Sequence, residues 1–152
     1  MKILDLSSGN RAMWFNKNHP RATYLDIRPE VNPTVICDTR ALPPEVGDGY
    51  SLVVFDPPHV NCGANSTMSK TYGYHTTEEI RDIVAKSAAE AHRVCVDGAL
   101  MALKWNDHDQ KLERMLALVD LWWEPLFGQR VAVRTRHASA TYWVLLARKS
   151  RA

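Results

Sequence analysis

Leu52-Val53-Val54-Phe55-Asp56-Pro57-Pro58-His59 is the stretch from which the fold is read. Its first four residues are an apolar run that reads as a buried β-strand. An acid and two prolines end it. Proline fixes φ and lacks an N–H, so the chain must leave the sheet there in a stiff, extended turn. That turn holds the Asp56 carboxylate and free backbone carbonyls at the carboxyl edge of a sheet. Ligands bind at that edge in open α/β folds. A rigid pair of acceptors in that place suits a substrate amino group.

Outward from this strand, apolar runs alternate with turn signals. Strands are expected at residues 2–6, 22–27, 34–37 and 51–55, then at 99–103, 130–135 and 141–147. A short helix is expected over residues 11–18. Thr76-x-x-Glu79 reads as a capping box opening a longer helix. Ile80, Ile83, Val84, Ala88 and Ala91 follow at helical spacing, and Asp97-Gly98 is expected to stop it. Asn106 or Asp107 is expected to open another helix, with Leu112, Met115, Leu116 and Val119 on one face. The polar segment 59–75 is expected to be a mobile lid. Strands alternating with helices imply an α/β fold with a mainly parallel sheet, closed by an antiparallel hairpin. Residues 1–152 are read as a single domain.

Acids recur at the ends of these strands: Asp26, Asp38 and Asp56, with Asp5 before the Gly9 turn. Aspartate favours strand-to-turn junctions, which would account for one of them. Four in register with expected strands point instead to ligand donors such as ribose hydroxyls or an adenine amino group. Asp26 follows Asp5 at about twenty residues, the spacing of a ribose acid in nucleotide-binding domains. Gly9 would allow close backbone approach to a ligand.

Asp5-Leu6-Ser7-Ser8-Gly9-Asn10-Arg11 resembles the first motif of class I S-adenosylmethionine-dependent methyltransferases. That family usually shows Asp-x-Gly-x-Gly-x-Gly; here Ser7 and Arg11 stand at the flanking glycine positions. Asp56-Pro57-Pro58-His59 resembles the Asp/Asn-Pro-Pro-aromatic motif of the amino-methylating branch, which acts on N6 of adenine or N2 of guanine. The order Asp5/Gly9, Asp26, Asp38, Asp56 resembles the family along nearly the whole chain. Residues 8–14 with Lys104-Trp105-Asn106-Asp107 are also similar to small phage-associated proteins of this kind. The resemblance implies a Rossmann-like, seven-stranded sandwich with S-adenosyl-L-methionine as cofactor. It implies cofactor contacts at Asp5, Ser7, Gly9, Asp26, Asp38 and Asp56, with Asp38 near the adenine edge. It implies catalysis by Asp56, Pro57, Pro58 and His59, where His59 replaces the usual Tyr, Phe or Trp. Tyr72 and Tyr74 are candidates to stack on a base, and Lys104 to contact a phosphate.

Composition narrows the partners. No apolar run approaches the length of a membrane span. Cys37, Cys62 and Cys95 form no Cys-x-x-Cys pair, which fits a reduced, cytoplasmic setting. His59, Cys62, His75 and His92 match no common zinc spacing, so no metal site is expected. No acidic residue follows Glu124, and that stretch carries Arg130, Arg134, Arg136, Arg148, Lys149 and Arg151. Such a basic end suits either a polyanion or a solvated strand face. A nucleic acid is the expected partner: RNA, single-stranded DNA, or duplex presented by a partner that reads sequence. A methyltransferase of small molecules or proteins and a non-catalytic nucleotide-binding module are the alternatives. The missing second and third glycines disfavour a dehydrogenase.

Overall fold

The computed structural model describes residues 1–61, 75–131 and 139–150. Seven strands form its sheet: β1 (Ile3–Asp5), β2 (Ala22–Asp26), β3 (Val35–Ile36), β4 (Tyr50–Phe55), β5 (Cys95–Asn106), β6 (Trp123–Arg130) and β7 (Thr141–Arg148). Their order is β3-β2-β1-β4-β5-β7-β6. β1 to β5 pair in parallel with their neighbours, and β7 runs antiparallel to β5 and β6. The chain moves outward through β1, β2 and β3, then returns to lay β4 beside β1. This is a topological switch point, where diverging connections open a crevice at the carboxyl ends. Asp5 and Asp56 stand on either side of it.

Among the described residues, two helices complete the core, α1 (Thr77–Val94) and α2 (Leu112–Val119). Thr76 Oγ1 accepts the Glu79 N–H at 3.1 Å, so the expected cap is in place. Ile80, Val84, Ala88 and Ala91 of α1 are fully buried, as are Met115 and Val119 of α2. They pack on alternate sheet residues: Leu4, Val53, Phe55, Met101, Leu103, Trp105, Val144 and Leu146. Two buried tryptophans satisfy their indole N–H on backbone carbonyls. Trp105 donates to Gln110 at 2.8 Å and Trp123 to Ala88 at 2.8 Å. Trp123 therefore belongs to the core, as its apolar bulk predicts.

The opposite face differs. Its residues on β4, β5 and β7 are also apolar: Leu52, Val54, Leu100, Ala102, Leu145 and Ala147. They are only half-buried. Phe127, paired with Leu145 across the β6–β7 ladder, is 69% exposed. Right-handed crossovers place the β1–β2 and β2–β3 connections on this side. Among the described residues those connections hold turns and a short 3-10 segment, Pro29–Val31, with no α-helix.

Four expectations need correction. Residues 11–18 form turns and no helix. Arg11 has φ +59°, outside the right-handed helical region, and Asn16 Oδ1 takes the Asn18 N–H at 3.0 Å. Asp97-Gly98 does not stop α1, which passes into β5 at Cys95. Gly98, at φ +78°, instead accommodates an irregularity: β4 advances from Tyr50 to Leu52 while β5 advances from Cys95 to Leu100. Asn106 ends β5 and does not cap α2, whose N-cap is Lys111. Asn106 Oδ1 accepts the His108 N–H at 3.1 Å in a local turn. The first hairpin strand begins earlier than residue 130: its described part is Trp123–Arg130, because pairing with β7 begins at Trp123–Arg148, and residues 132–135 of the expected strand lie outside the described residues.

Candidate active site

The crevice at the switch point is built on Asp5, which is fully buried. Its Oδ1 accepts the Ser7 N–H at 3.0 Å, and its Oδ2 accepts the Trp14 indole N–H at 2.7 Å. Burial pushes its pKa up to about 6, against the pull of the Trp14 and Ser7 hydrogen bonds. The charges of Asp56 and Asp26 push in the same direction as burial. Ser7 ties the two halves of the site together. Its Oγ accepts the Asp56 N–H at 2.7 Å, joining the turn after β1 to the turn after β4.

Asp56 is half-buried, and its two oxygens are not alike. Oδ2 accepts Lys104 Nζ at 3.0 Å. Oδ1 is buried and has no hydrogen-bond partner among the described residues, with His59 Nδ1 3.8 Å away. Lys104 stands at the end of β5, beside the turn after β4. His59 Nδ1 lies 3.2 Å from the Pro57 carbonyl oxygen, and its ring meets Trp105 edge-on at 6.0 Å between centroids. A rigid backbone, a lysine and a buried indole thus hold one acceptor oxygen in a defined place. Buried acceptors are usually satisfied, so one left over marks a place for a donor.

Asp26 and Asp38 are each clasped by the arginine two residues on. Asp26 Oδ1 accepts the Arg28 N–H at 2.9 Å and Arg28 Nε at 3.0 Å. Its Oδ2 accepts the Gly9 N–H at 3.0 Å and Arg28 Nη2 at 3.1 Å. Burial would raise the Asp26 pKa, but the Arg28 and Gly9 hydrogen bonds outweigh it and leave it below the ordinary carboxylate value. Arg40 Nη2 holds Asp38 Oδ2 at 2.7 Å and lowers its pKa. Arg40 Nη1 also reaches Asp82 of α1 at 3.1 Å. Gly9 has φ +48°, and among the described residues a side chain there would meet only Arg28 Nη2, 3.5 Å from its first carbon. The turn therefore leaves room above Gly9 for close backbone approach.

Several solved structures are similar to the chain over nearly its whole length. N-methyltransferase NodS from Bradyrhizobium japonicum WM9, in complex with S-adenosyl-l-homocysteine, superposes with TM-score 0.67 at 9% identity, covering 98% of this chain and 78% of its own. The fold is that of the class I methyltransferases. An rRNA methylase from Streptococcus thermophilus gives 0.57 at 10% identity over 97% and 86% of the two chains. The [4+2]-cyclase SpnF gives 0.66 at 10% identity over 96% and 73%. No family model and no curated protein sequence matches the chain.

On the class I methyltransferase fold, Asp5, Ser7, Gly9, Asp26 and Asp56 come together at one edge. Asp38 stands at the end of β3, two strands from β1, with a side chain 39% exposed. Lys104, the candidate to contact a phosphate, donates to Asp56 Oδ2. Tyr72, Tyr74 and Cys62, with most of the expected lid, fall outside the described residues. Among the described residues no cluster of His, Cys, Asp or Glu is arranged to hold a metal ion. His92 is buried against Trp122 and Trp123, and its Nε2 lies 2.8 Å from the Lys149 carbonyl oxygen, at the opposite edge of the sheet. The basic end is divided. Arg148 pairs with Asp97 and Lys149 with Asp120, both at that opposite edge. Arg130 is exposed and pairs in register with Tyr142, on the crevice side.

Sequence reading missed the two Asp-x-Arg clasps and the Trp14–Asp5 hydrogen bond. The repeated spacing of Asp26-Ile27-Arg28 and Asp38-Thr39-Arg40 at successive strand ends was the available signal.

Proposed function

We propose that this chain is an S-adenosylmethionine-dependent methyltransferase that methylates an exocyclic amine of a nucleic-acid base, with N6 of adenine favoured. The observation carrying this reading is Asp56 Oδ1, a buried acceptor with no hydrogen-bond partner among the described residues, at the switch point of a class I methyltransferase fold. The S-adenosyl-l-homocysteine in complex with NodS supports the cofactor. So do the room above Gly9 and the acids around it. Asp5, Ser7, Gly9, Asp26 and Asp38 are the residues that would hold it, while Asp56 faces the amine.

When bound, S-adenosylmethionine supplies an electrophilic methyl group on a sulfonium. The chain's own residues must make a poor nucleophile attack it. An exocyclic amine delocalises its lone pair into the ring. Asp56 Oδ1 accepts a hydrogen bond from that amine and so localises the lone pair on nitrogen. The bond strengthens as positive charge develops during transfer, which places its effect in the transition state. Lys104 holds the other oxygen, so the carboxylate cannot rotate its free oxygen away. The Pro57 carbonyl has a second lone pair besides the one facing His59, and accepts the amine's other hydrogen. His59, braced on Trp105, provides a flat ring against the base.

A small-molecule amine is the second reading. Arg148 and Lys149 are committed to ion pairs away from the crevice, which leaves fewer cations for a polyanion. Methyl-labelled cofactor incubated with separate pools of RNA, single-stranded DNA, duplex DNA, protein and small metabolites separates the two. Label recovered as N6-methyladenine after nuclease digestion supports the first reading. Label in metabolites alone replaces it with the second, and label in no pool removes both.

A further inference from the structure

We propose that Arg28 competes with the cofactor for Asp26 and so sets cofactor affinity; this rests on the methyltransferase reading above. A carboxylate offers about four lone-pair sites. Asp26 has four donors in place, the backbone N–H groups of Gly9 and Arg28 and the Nε and Nη2 of Arg28. Its side chain is only 9% exposed, beneath an Arg28 side chain that is 28% exposed. A ribose diol brings two O–H donors to the same carboxylate. Two occupied sites must then be given up. The backbone donors are fixed by the Gly9 turn and by the strand end. The guanidinium is on a flexible stem and reaches solvent, so it is the group that yields. Its position above Gly9 makes the same point from a second direction. Among the described residues, Arg28 Nη2 is the one atom that a side chain at Gly9 would meet, at 3.5 Å. A ligand approaching that turn therefore displaces the guanidinium whether it comes for Asp26 or for the Gly9 backbone.

The clasp acts as a closed minor barrier to binding. Apparent affinity falls by the fraction of molecules in which the clasp is open. A clasp closed about nine-tenths of the time weakens binding about tenfold. Arg28→Met and Arg28→Gln remove the fork and leave Asp26 with its two backbone donors. Both variants are expected to bind S-adenosylhomocysteine about tenfold more tightly than the native protein by calorimetric titration. Arg28→Lys keeps the charge without the bidentate geometry and is expected to fall between them. In the native protein, the ¹⁵Nε resonance of Arg28 is expected to move toward its solvated position on addition of S-adenosylhomocysteine. Unchanged or weaker binding in both Arg28→Met and Arg28→Gln overturns the proposal, since the guanidinium would then be a bystander or a cofactor contact. Failure of the native protein to bind S-adenosylhomocysteine at all overturns the methyltransferase reading and the competition with it. That failure is told apart from the first because it is read before any variant is compared.

Discussion

Arg11 stands where the motif that the sequence resembles has a glycine, and its φ is +59°, in the left-handed region. A non-glycine residue there costs about 1–2 kcal/mol. Its guanidinium offsets that cost by donating to the Lys17 carbonyl at 2.8 Å and the Asn32 carbonyl at 2.8 Å, and by lying 3.9 Å over the Tyr24 ring. The turn is thus held by a side chain, where a glycine would hold it by freedom alone. Asp5 beside it has a consequence for pH. Its pKa is raised to about 6 from 3.8, so the folded state holds its proton over a range where the unfolded chain has lost it. The stabilising contribution is complete below pH 4 and disappears as pH rises through 6. Asp5→Asn, which cannot ionise, is therefore expected to gain on the native protein by about 2–3 kcal/mol between pH 4 and pH 7. Urea denaturation of both proteins at the two pH values checks this. An unchanged difference would contradict the burial assigned to Asp5. Asp26 and Asp38 work in the other direction, because their lowered pKa values lose stability as pH falls. The four acids were legible in the sequence as strand-end residues. Their partners were not, because an Asp-x-Arg contact depends on how the chain turns after the strand.

Among the elements, α1 was legible from its cap and its apolar spacing, since both are local. The segment 11–18 was not, because the positive φ of Arg11 and the hydrogen bond from the Trp14 indole to buried Asp5 override helical spacing. Two glycines test how the strands are built. Gly98 has φ +78° with nothing within 4 Å of an added side-chain carbon. Gly128 lies in β6, where an added carbon would come within 2.9 Å of the Trp143 carbonyl oxygen. The first substitution meets backbone strain alone, the second a rigid neighbour. Gly98→Ala is expected to cost about 1 kcal/mol. Gly128→Ala is expected to cost about 2–3 kcal/mol, by forcing β6 away from β7. Thermal melts of the two variants give the order, and a Gly98 variant less stable than the Gly128 variant would contradict the register of the hairpin.

At the scale of the molecule, the sheet has two unequal faces. Leu146 is fully buried under the helices, while its neighbour Leu145 is half-buried on the other side. Leu146→Ala is expected to cost about 3 kcal/mol, and Leu145→Ala about 1 kcal/mol or less. Equal losses in denaturant unfolding would mean that both faces are packed alike. The mainly parallel sheet and its closing hairpin were legible from alternating strands and helices. The sidedness was not, because an apolar strand residue reads the same whether a helix covers it or not. Among the described residues, no helix is long and apolar enough to cross a membrane. What the whole arrangement accomplishes is to set one carboxylate oxygen, Asp56 Oδ1, at the switch point with its sister oxygen already held. The most direct test is single-turnover transfer of labelled methyl from S-adenosylmethionine to adenine-containing single-stranded RNA and DNA, by native protein and by Asp56→Ala, with S-adenosylhomocysteine affinity measured alongside. The expected result is little change in cofactor affinity and a transfer rate lower by about a hundredfold or more. A near-native rate in Asp56→Ala would contradict the account.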